Sequence, residues 1–279
     1  MSSGPQLQAL VDIVRDVGKR ALGGGVQGQT VSIKRDGSFV TAVDVRIQEE
    51  LHTTLGEQWA EIPLMGEEMS RDDHHEVLHS DSPRFWVLDP LDGTTNFASG
   101  LPFYGISLAL MEQGVPVLGV VYDPNRDECF AAAAGQGASL NGAPLHTTNN
   151  AETSHCIACV DFKRLARTLA EHLVAGPPYK SQRNLGACVL EWCWLAADRF
   201  QLYLHGGQRL WDYAAGSLIL REAGGSAVTL EGVPIPDADG SQYRAGKVSV
   251  VAATNPELLE DWRSWITDRA DLYTMLMRG

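Results

Sequence analysis

Apolar positions recur at helical spacing over residues 5–22, where Leu7, Leu10, Val11, Val14 and Val17 share one face, and Gly23-Gly24-Gly25 stops that helix. "SFVTAVD" predicts a short strand turning into a helix that keeps Val43, Ile47, Leu51 and Leu55 on one side. Two apolar runs, "IPLMGEE" (62–68) and "RFWVLD" (84–89), each finish in acid. "YGISLALME", "VPVLGVVYD" and "DECFAAAA" read as three strands joined by short turns around Gly114 and Pro124-Asn125, an antiparallel meander with "GASLNGAPL" as its turn-rich exit. Beyond residue 150 come "IACVDF", a helix near 163–174, and "ACVLEWCWLAAD" (187–198), which is apolar nearly all round and therefore buried. "FQLYL", a helix from Trp211 to Ala223 and the late strand "KVSVVAAT" follow. A tail over 256–277 sets Leu258, Leu259, Trp262, Trp265 and Ile266 at helical spacing, to pack on the body or on a partner. Helices layered on more than one sheet, α/β or α+β, is the class these elements build, with halves at 1–150 and 151–279.

Composition narrows the class. At 279 residues the chain can bury a sizeable core, and 44% hydrophobic and 20% charged positions are ordinary for a soluble protein. A formal charge of −13 argues against non-specific nucleic-acid binding and leaves room for bound cations. Five cysteines are too few, and odd in number, for a disulfide framework, so a reducing cytoplasm is expected. Cys156 and Cys159 have the spacing of a redox or zinc pair, but no second pair accompanies them and they read as core thiols. No apolar stretch is long enough to span a bilayer, and the N-terminus has no signal-peptide pattern. "DDHHEVLH" holds an i, i+4 pair in His75 and His79, next to His74, but the run is polar and reads as a solvated loop. Trp192 and Trp194 read as core.

The chemistry lies in the acids. Asp44 enters a helix, Glu67 and Glu68 end a strand, Asp89 and Asp92 end another, and Asp212 opens a third helix. Brought to one place, such carboxylates repel unless divalent cations sit between them, and oxygen-only donors favour a hard ion such as Mg²⁺. In "DPLDGTTNFASG" (89–100) Asp89 can bridge two metals, the Leu91 carbonyl can serve one and Asp92 the other. Gly93 allows close backbone approach, and Thr94 and Thr95 offer N–H groups and hydroxyls to a phosphate where a helix starts. That is the equipment of two-metal phosphoester hydrolysis. Two rivals fail on spacing. A haloacid-dehalogenase phosphatase needs Asp-x-Asp-x-Thr, and an EF-hand loop needs an oxygen ligand where this chain has Leu91.

"GEE", "WVLDPLDGTTNFASGLPFYGISLAL", "GQGASLNG" and "WDYAAGSLILREAGG", in this order from about residue 30 to 255, resemble the inositol monophosphatase family of Mg²⁺-dependent, lithium-sensitive phosphatases. The resemblance implies a layered αβαβα sandwich and a homodimer. It implies that Glu67, Asp89 and the Leu91 carbonyl hold a first Mg²⁺, that Asp89, Asp92 and Asp212 hold a second, and that Glu67 with waters holds a weaker third. Thr94 with Glu67 would orient and deprotonate the attacking water, Asp44 would complete the Thr94 network, and Glu68 and Lys34 would support the site from behind. Gly93, Thr94 and Thr95 would bind phosphate. Asp92, Asp212, Gly186, Ala187 and the residue ahead of the Trp-Asp motif would face the substrate, with Arg183 beside Gly186 on the ring or on the dimer partner.

At that last position the family commonly carries a glutamate for inositol hydroxyls, and this chain has His205. A carboxylate accepts from two hydroxyls, whereas a neutral imidazole accepts one bond and donates one. His205 is then either a tolerated variant on an exposed glycine-rich loop or the mark of another substrate: histidinol phosphate, a sugar phosphate, or a nucleotide such as 3′-phosphoadenosine 5′-phosphate or NADP. The function expected is a phosphomonoesterase for a small phosphorylated metabolite, inositol 1-phosphate by family, with no membrane or nucleic-acid partner. The alternative of another class is a regulatory protein that binds transcription or ribosome-assembly machinery.

Overall fold

Two large β-sheets stacked with helices between and outside them, and a separate two-stranded sheet, form the molecule, in a computed structural model that describes residues 4–22, 31–33, 39–147, 152–235 and 246–276, the backbone alone at 31–33, 39–41 and 269–276. The elements of the first half run α1 (Leu7–Leu22), β1 (Val31–Ile33), β2 (Phe39–Thr41), α2 (Ala42–Gln58), β3 (Leu64–Gly66), α3 (Arg71–Leu78), β4 (Arg84–Asp92), α4 (Thr94–Ser99), β5 (Gly105–Glu112), β6 (Val115–Asp123), β7 (Glu128–Ala133), β8 (Ala138–Leu140) and β9 (Ala143–Leu145). β10 (Ile157–Asp161), a 3-10 turn (Phe162–Arg164), α5 (Arg167–Ala175), β11 (Ser181–Arg183), α6 (Cys188–Ala196), β12 (Leu202–Gln208), α7 (Leu210–Ala223), β13 (Ser226–Val228), β14 (Val248–Ala253) and α8 (Pro256–Leu276) follow. Strands β3 to β9 make a seven-stranded sheet in sequence order, antiparallel except for the β3–β4 pair. The second sheet has five strands in the order β11-β10-β12-β14-β13.

The two-residue period of a strand decides what each sheet face meets. In β4, Trp86 and Leu88 pack with Leu10, Val14, Ile47 and Leu51 of α1 and α2, while Phe85 and Val87 face α6 and α7. The other side of α6 and α7 meets Cys159, Tyr203, Val250 and Ala252 of the five-stranded sheet. Ala158, Val160, Leu204 and Val251 on its far face pack against α5 and α8. The order α1/α2, sheet, α6/α7, sheet, α5/α8 is the expected αβαβα sandwich.

Several local expectations change. "GASLNGAPL" is a hairpin, β8–β9, that widens the sheet; Asn141 (φ 51°) and Gly142 (φ 79°) are its two-residue turn. "DDHHEVLH" is helix α3 and not a loop, because Ser70 and Asp73 form a reciprocal capping box. The helix expected near 163–174 begins later, at Arg167, after the 3-10 turn. Trp262 packs on the body: it is fully buried and its indole N–H donates to the Tyr203 carbonyl at 3.2 Å, with Trp265 stacked beside it. Cys156 and Cys159 are buried thiols on opposite faces of the five-stranded sheet, and burial pushes both thiol pKa values up, Cys156 to about 11. Gly23-Gly24-Gly25 and Lys34 lie outside the described residues. Among the described residues no helix is long and apolar enough to cross a membrane.

Candidate functional site

In an unbroken strand Asp89 and Asp92, three residues apart, would point to opposite faces. They do not, because β4 carries a bulge: Asp89 pairs with Ser107 and Asp92 with Gly105, so three steps on β4 oppose two on β5. Pro90, with no N–H to give to a ladder, sits in that bulge. Leu91 is thereby turned to the α1/α2 side, and both aspartates are carried to the side of α6 and α7. Gly93 follows in the left-handed region at φ 84°. A Cβ there would come within 2.9 Å of the Phe103 carbonyl and 3.0 Å of Ala187 Cβ, so only glycine fits the turn that starts α4.

Around this bend stand the other acids. Asp44, in the first turn of α2, is buried, and its Oδ1 lies 3.2 Å from Thr94 Oγ1, a hydroxyl that also reaches the Leu91 carbonyl at 2.9 Å. Glu67 leaves β3 with its N–H on the Leu88 carbonyl, which lays it beside β4, and Glu68 donates its N–H to Gln48. Asp92 Oδ2 accepts from the Val189 N–H at 2.7 Å, at the start of α6. Asp212 Oδ2 accepts from the Arg209 N–H at 2.7 Å and so caps its own helix, α7.

The electrostatics of Asp89 stand out. One oxygen accepts from the Leu91 N–H at 3.1 Å; the other, Oδ2, is buried with no hydrogen-bond partner. Burial pushes its pKa well above the carboxylate range, and Glu67, Asp92, Asp212 and Asp44 push the same way. Burial also raises Asp92, with Asp212 next, against the Val189 N–H. Asp212 is pushed up to about 6 by burial and by Glu67, opposed by the Arg209 N–H and the Arg209 charge. An orphan buried carboxylate oxygen amid mutually repelling acids is what a hard cation would satisfy. The acids are neighbours and not a closed cage: among the described residues no three His, Cys, Asp or Glu side chains stand close enough together to hold an ion unaided.

These groups open on a cleft of about 680 Å³ whose walls include Glu67, Asp92, Thr94, Thr95, Gly186 and Asp212. Thr94 and Thr95 begin α4, whose first i, i+4 bond runs from the Phe97 N–H to the Gly93 carbonyl; amides ahead of it have no helical acceptor and suit an anion. Ala187 is buried against Gly93, and Arg183 is turned to Ser181 and the Gln182 carbonyl. His205 also lines the cleft, inside β12 and only 4% exposed, and not on an exposed loop. Its Nδ1 accepts from the Gly207 N–H at 3.1 Å, which leaves the proton on Nε2 to be donated to Asp161 Oδ2 at 3.3 Å.

Three supporting residues escape sequence reasoning. His74 Nε2 lies 2.7 Å from the Gly66 carbonyl, and its ring packs at 5.1 Å on Trp211, so it ties the strand before Glu67 to the helix of Asp212. Asn96 donates to the Phe103 and Leu185 carbonyls, both at 2.8 Å, and anchors α4. Buried Glu191 accepts from the Leu185 and Gly186 N–H groups and from the Tyr203 hydroxyl, shaping the turn at Gly186. Glu191 had a signal, a lone acid in an otherwise apolar helix.

The profile of the inositol monophosphatase family matches residues 6–266. An inositol monophosphatase of Mesembryanthemum crystallinum is 33% identical over 262 residues, 91% of this chain and 93% of that protein. A Nus factor SuhB of Pasteurella multocida is 33% identical over 206 residues, 72% of this chain and 75% of that one. Among solved structures, a Thermotoga maritima IMPase is 25% identical, with a TM-score of 0.80 over 95% of this chain and 98% of its own. An IMPase/NADP phosphatase crystallised with Mg²⁺ and phosphate shares the fold at 24% identity, with a TM-score of 0.76 over 88% and 89% of the two chains.

Proposed function

The chain belongs to the inositol monophosphatase family, and from that premise we propose that it is a Mg²⁺-dependent phosphomonoesterase acting on a small phosphate ester. The observation that carries the reading is the partnerless Asp89 oxygen among Glu67, Asp92 and Asp212, beside the Thr94–Asp44 pair. Glu67, Asp89, the Leu91 carbonyl, Asp92 and Asp212 form the donor set for two or three Mg²⁺ ions. When bound, such ions polarise the phosphoryl group, lower the pKa of a water and offset charge on the leaving oxygen. The chain does the rest. Gly93, Thr94 and Thr95 receive the phosphoryl oxygens. Thr94 Oγ1, held by Asp44, fixes the position of the attacking water, and Glu67 takes its proton. Asp92 and Asp212 face the ester side.

Similarity to SuhB Nus factors favours a second reading, a binding role in transcription. Phosphate release from a panel of esters separates the two. The phosphatase reading expects turnover that requires Mg²⁺ and is blocked by Li⁺. A folded protein with no turnover on any ester supports the binding role instead.

A further inference from the structure

The run "DDHHEVLH" contains His75-Glu76-Val77-Leu78-His79, the spacing at which two histidines one helical turn apart can share a zinc ion. That spacing means little in a loop and gains its meaning in a helix. α3 covers Arg71–Leu78, with His79 as its C-cap. The helix has two sides. Val77 is buried against the body, and His74 turns in to the Gly66 carbonyl and Trp211. Asp72, His75, Glu76 and His79 fall at i, i+3, i+4 and i+7 and are all exposed, so one solvent-facing stripe carries imidazoles and carboxylates side by side.

The two imidazoles are already arranged for a shared ligand. Their rings are stacked, with 3.9 Å between centroids and 16° between planes. Two Zn–N bonds of about 2.0–2.1 Å at a tetrahedral angle hold their nitrogens about 3.3 Å apart, so a small adjustment lets the pair span one ion. His79 Nδ1 lies 2.8 Å from the His75 carbonyl oxygen. That oxygen only accepts, so Nδ1 carries the proton and Nε2 of the neutral ring keeps its lone pair for a ligand. A carbonyl behind the far nitrogen is a usual support for a metal-bound histidine. Neither ring nitrogen of His75 has a hydrogen-bond partner among the described residues. The fold has little other use for the pair: the Ser70–Asp73 box starts α3, and Val77 and His74 fix it to the body.

We propose that His75 and His79 form a metal site separate from the Mg²⁺ donor set, a two-nitrogen chelate for a borderline divalent transition cation such as Zn²⁺ or Cu²⁺. Water fills the remaining positions, since no third ligating side chain among the described residues stands close enough to join. Donor chemistry sorts the two sites. Imidazole suits Zn²⁺ and Cu²⁺, whereas the oxygen-only acids suit Mg²⁺. Two protein ligands also make this a binding site and not a hydrolytic zinc centre, which takes three. The bound ion staples the last turn of α3 and stabilises the folded chain by mass action.

The test uses the full chain without an affinity tag, stripped of metal and then held in excess Mg²⁺ so that the acids are occupied. Calorimetric titration with Zn²⁺, and with Cu²⁺ in parallel, finds one equivalent of each bound, Cu²⁺ the tighter, as the affinity order for such donors requires. Removing even a group that supports a ligand typically costs 10- to 100-fold in metal affinity, so His75→Ala and His79→Ala each weaken binding at least about tenfold. Zn²⁺ raises Tm in wild type and not in the variants, and Cu²⁺-loaded wild type shows a two-nitrogen pattern by electron paramagnetic resonance that both variants lose. Both rings are exposed, and equal Tm without Zn²⁺ checks that α3 is intact; where His79→Ala loosens the helix end, His75→Ala alone decides. No Zn²⁺ or Cu²⁺ bound by wild type in excess Mg²⁺, or binding unmoved in His75→Ala, overturns the inference and leaves the phosphatase reading standing.

Discussion

His74 links the elements that carry two acids 145 positions apart in sequence, Glu67 and Asp212. Its ring nitrogen on the Gly66 carbonyl holds the end of β3, and its face on Trp211 holds the start of α7. Groups that support ligands in this way typically cost 10- to 100-fold in metal affinity when removed. We therefore expect His74→Ala to raise the Mg²⁺ concentration for half-maximal activity by at least about tenfold. His74→Gln, which can still donate to the Gly66 carbonyl, should recover most of it. A purely structural role would lower the melting temperature of His74→Ala and leave the Mg²⁺ dependence where it was. The residue was visible in sequence beside the His75/His79 pair, in a run read as solvated loop, but its use was not, because its partners lie on β3 and α7. His205 teaches the same lesson: its position ahead of the Trp-Asp motif was legible, while its burial against Asp161 depends on a strand pairing that no local pattern encodes.

At the level of elements, β4 and its bend are the feature most open to reading. The apolar run predicts the strand and its acidic end, and Gly93 predicts a close backbone approach just past it. What sequence left open was the direction of the distortion, a bulge that brings Asp89 and Asp92 to one face. Gly93→Ala should disable the bend. A non-glycine residue in the left-handed region costs about 1–2 kcal/mol, and the contacts at 2.9 and 3.0 Å add to it. Thermal melts should show a loss of several °C, since about 1 kcal/mol moves Tm by 2–4 °C for a chain of this size. Activity at 20 °C should fall much further than stability if the displaced groups are, as proposed, those that receive phosphate. A variant with unchanged kcat/KM would show that the turn does not position the site. α3 and the β8–β9 hairpin also had signals, Ser70 with Asp73 and Asn141-Gly142, that a polar composition masked.

Across the whole molecule, the sandwich brings acids from four regions of the chain, α2, the end of β3, β4 and α7, into one neighbourhood and leaves them in surplus. The layers were legible because the strands read as apolar runs, the first two helices have an apolar face and 187–198 is apolar nearly all round; which sheet edge receives which loop was not, since that follows from long-range pairing. The surplus has a consequence for stability. Asp212, pushed up to about 6, favours the folded state while protonated. That contribution is complete below the unfolded value near 4 and is lost as pH rises through about 6. Asp89 and Asp92 shift in the same direction. Asp127, held well below the carboxylate range by Arg15, contributes stability that is lost only in stronger acid, outside this window. Protein treated with EDTA should therefore melt at a lower temperature at pH 7 than at pH 5. Added Mg²⁺ should remove that decline, with its stabilising effect largest at the higher pH. An EDTA-treated protein with equal or higher Tm at pH 7 would argue that these acids are not mutually repelling.

The central claim is that Asp89, Asp92, Glu67 and Asp212 hold the cations that drive phosphoester hydrolysis. Steady-state phosphate release against Mg²⁺ concentration, for wild type and Asp92→Asn side by side, tests it most directly. The account predicts Mg²⁺-dependent turnover in wild type and a fall of at least about a thousandfold in the variant, since several kcal/mol of metal stabilisation convert at about 1.4 kcal/mol per factor of ten. The variant should still melt cooperatively. Turnover that persists in EDTA, or that survives in Asp92→Asn, would contradict it.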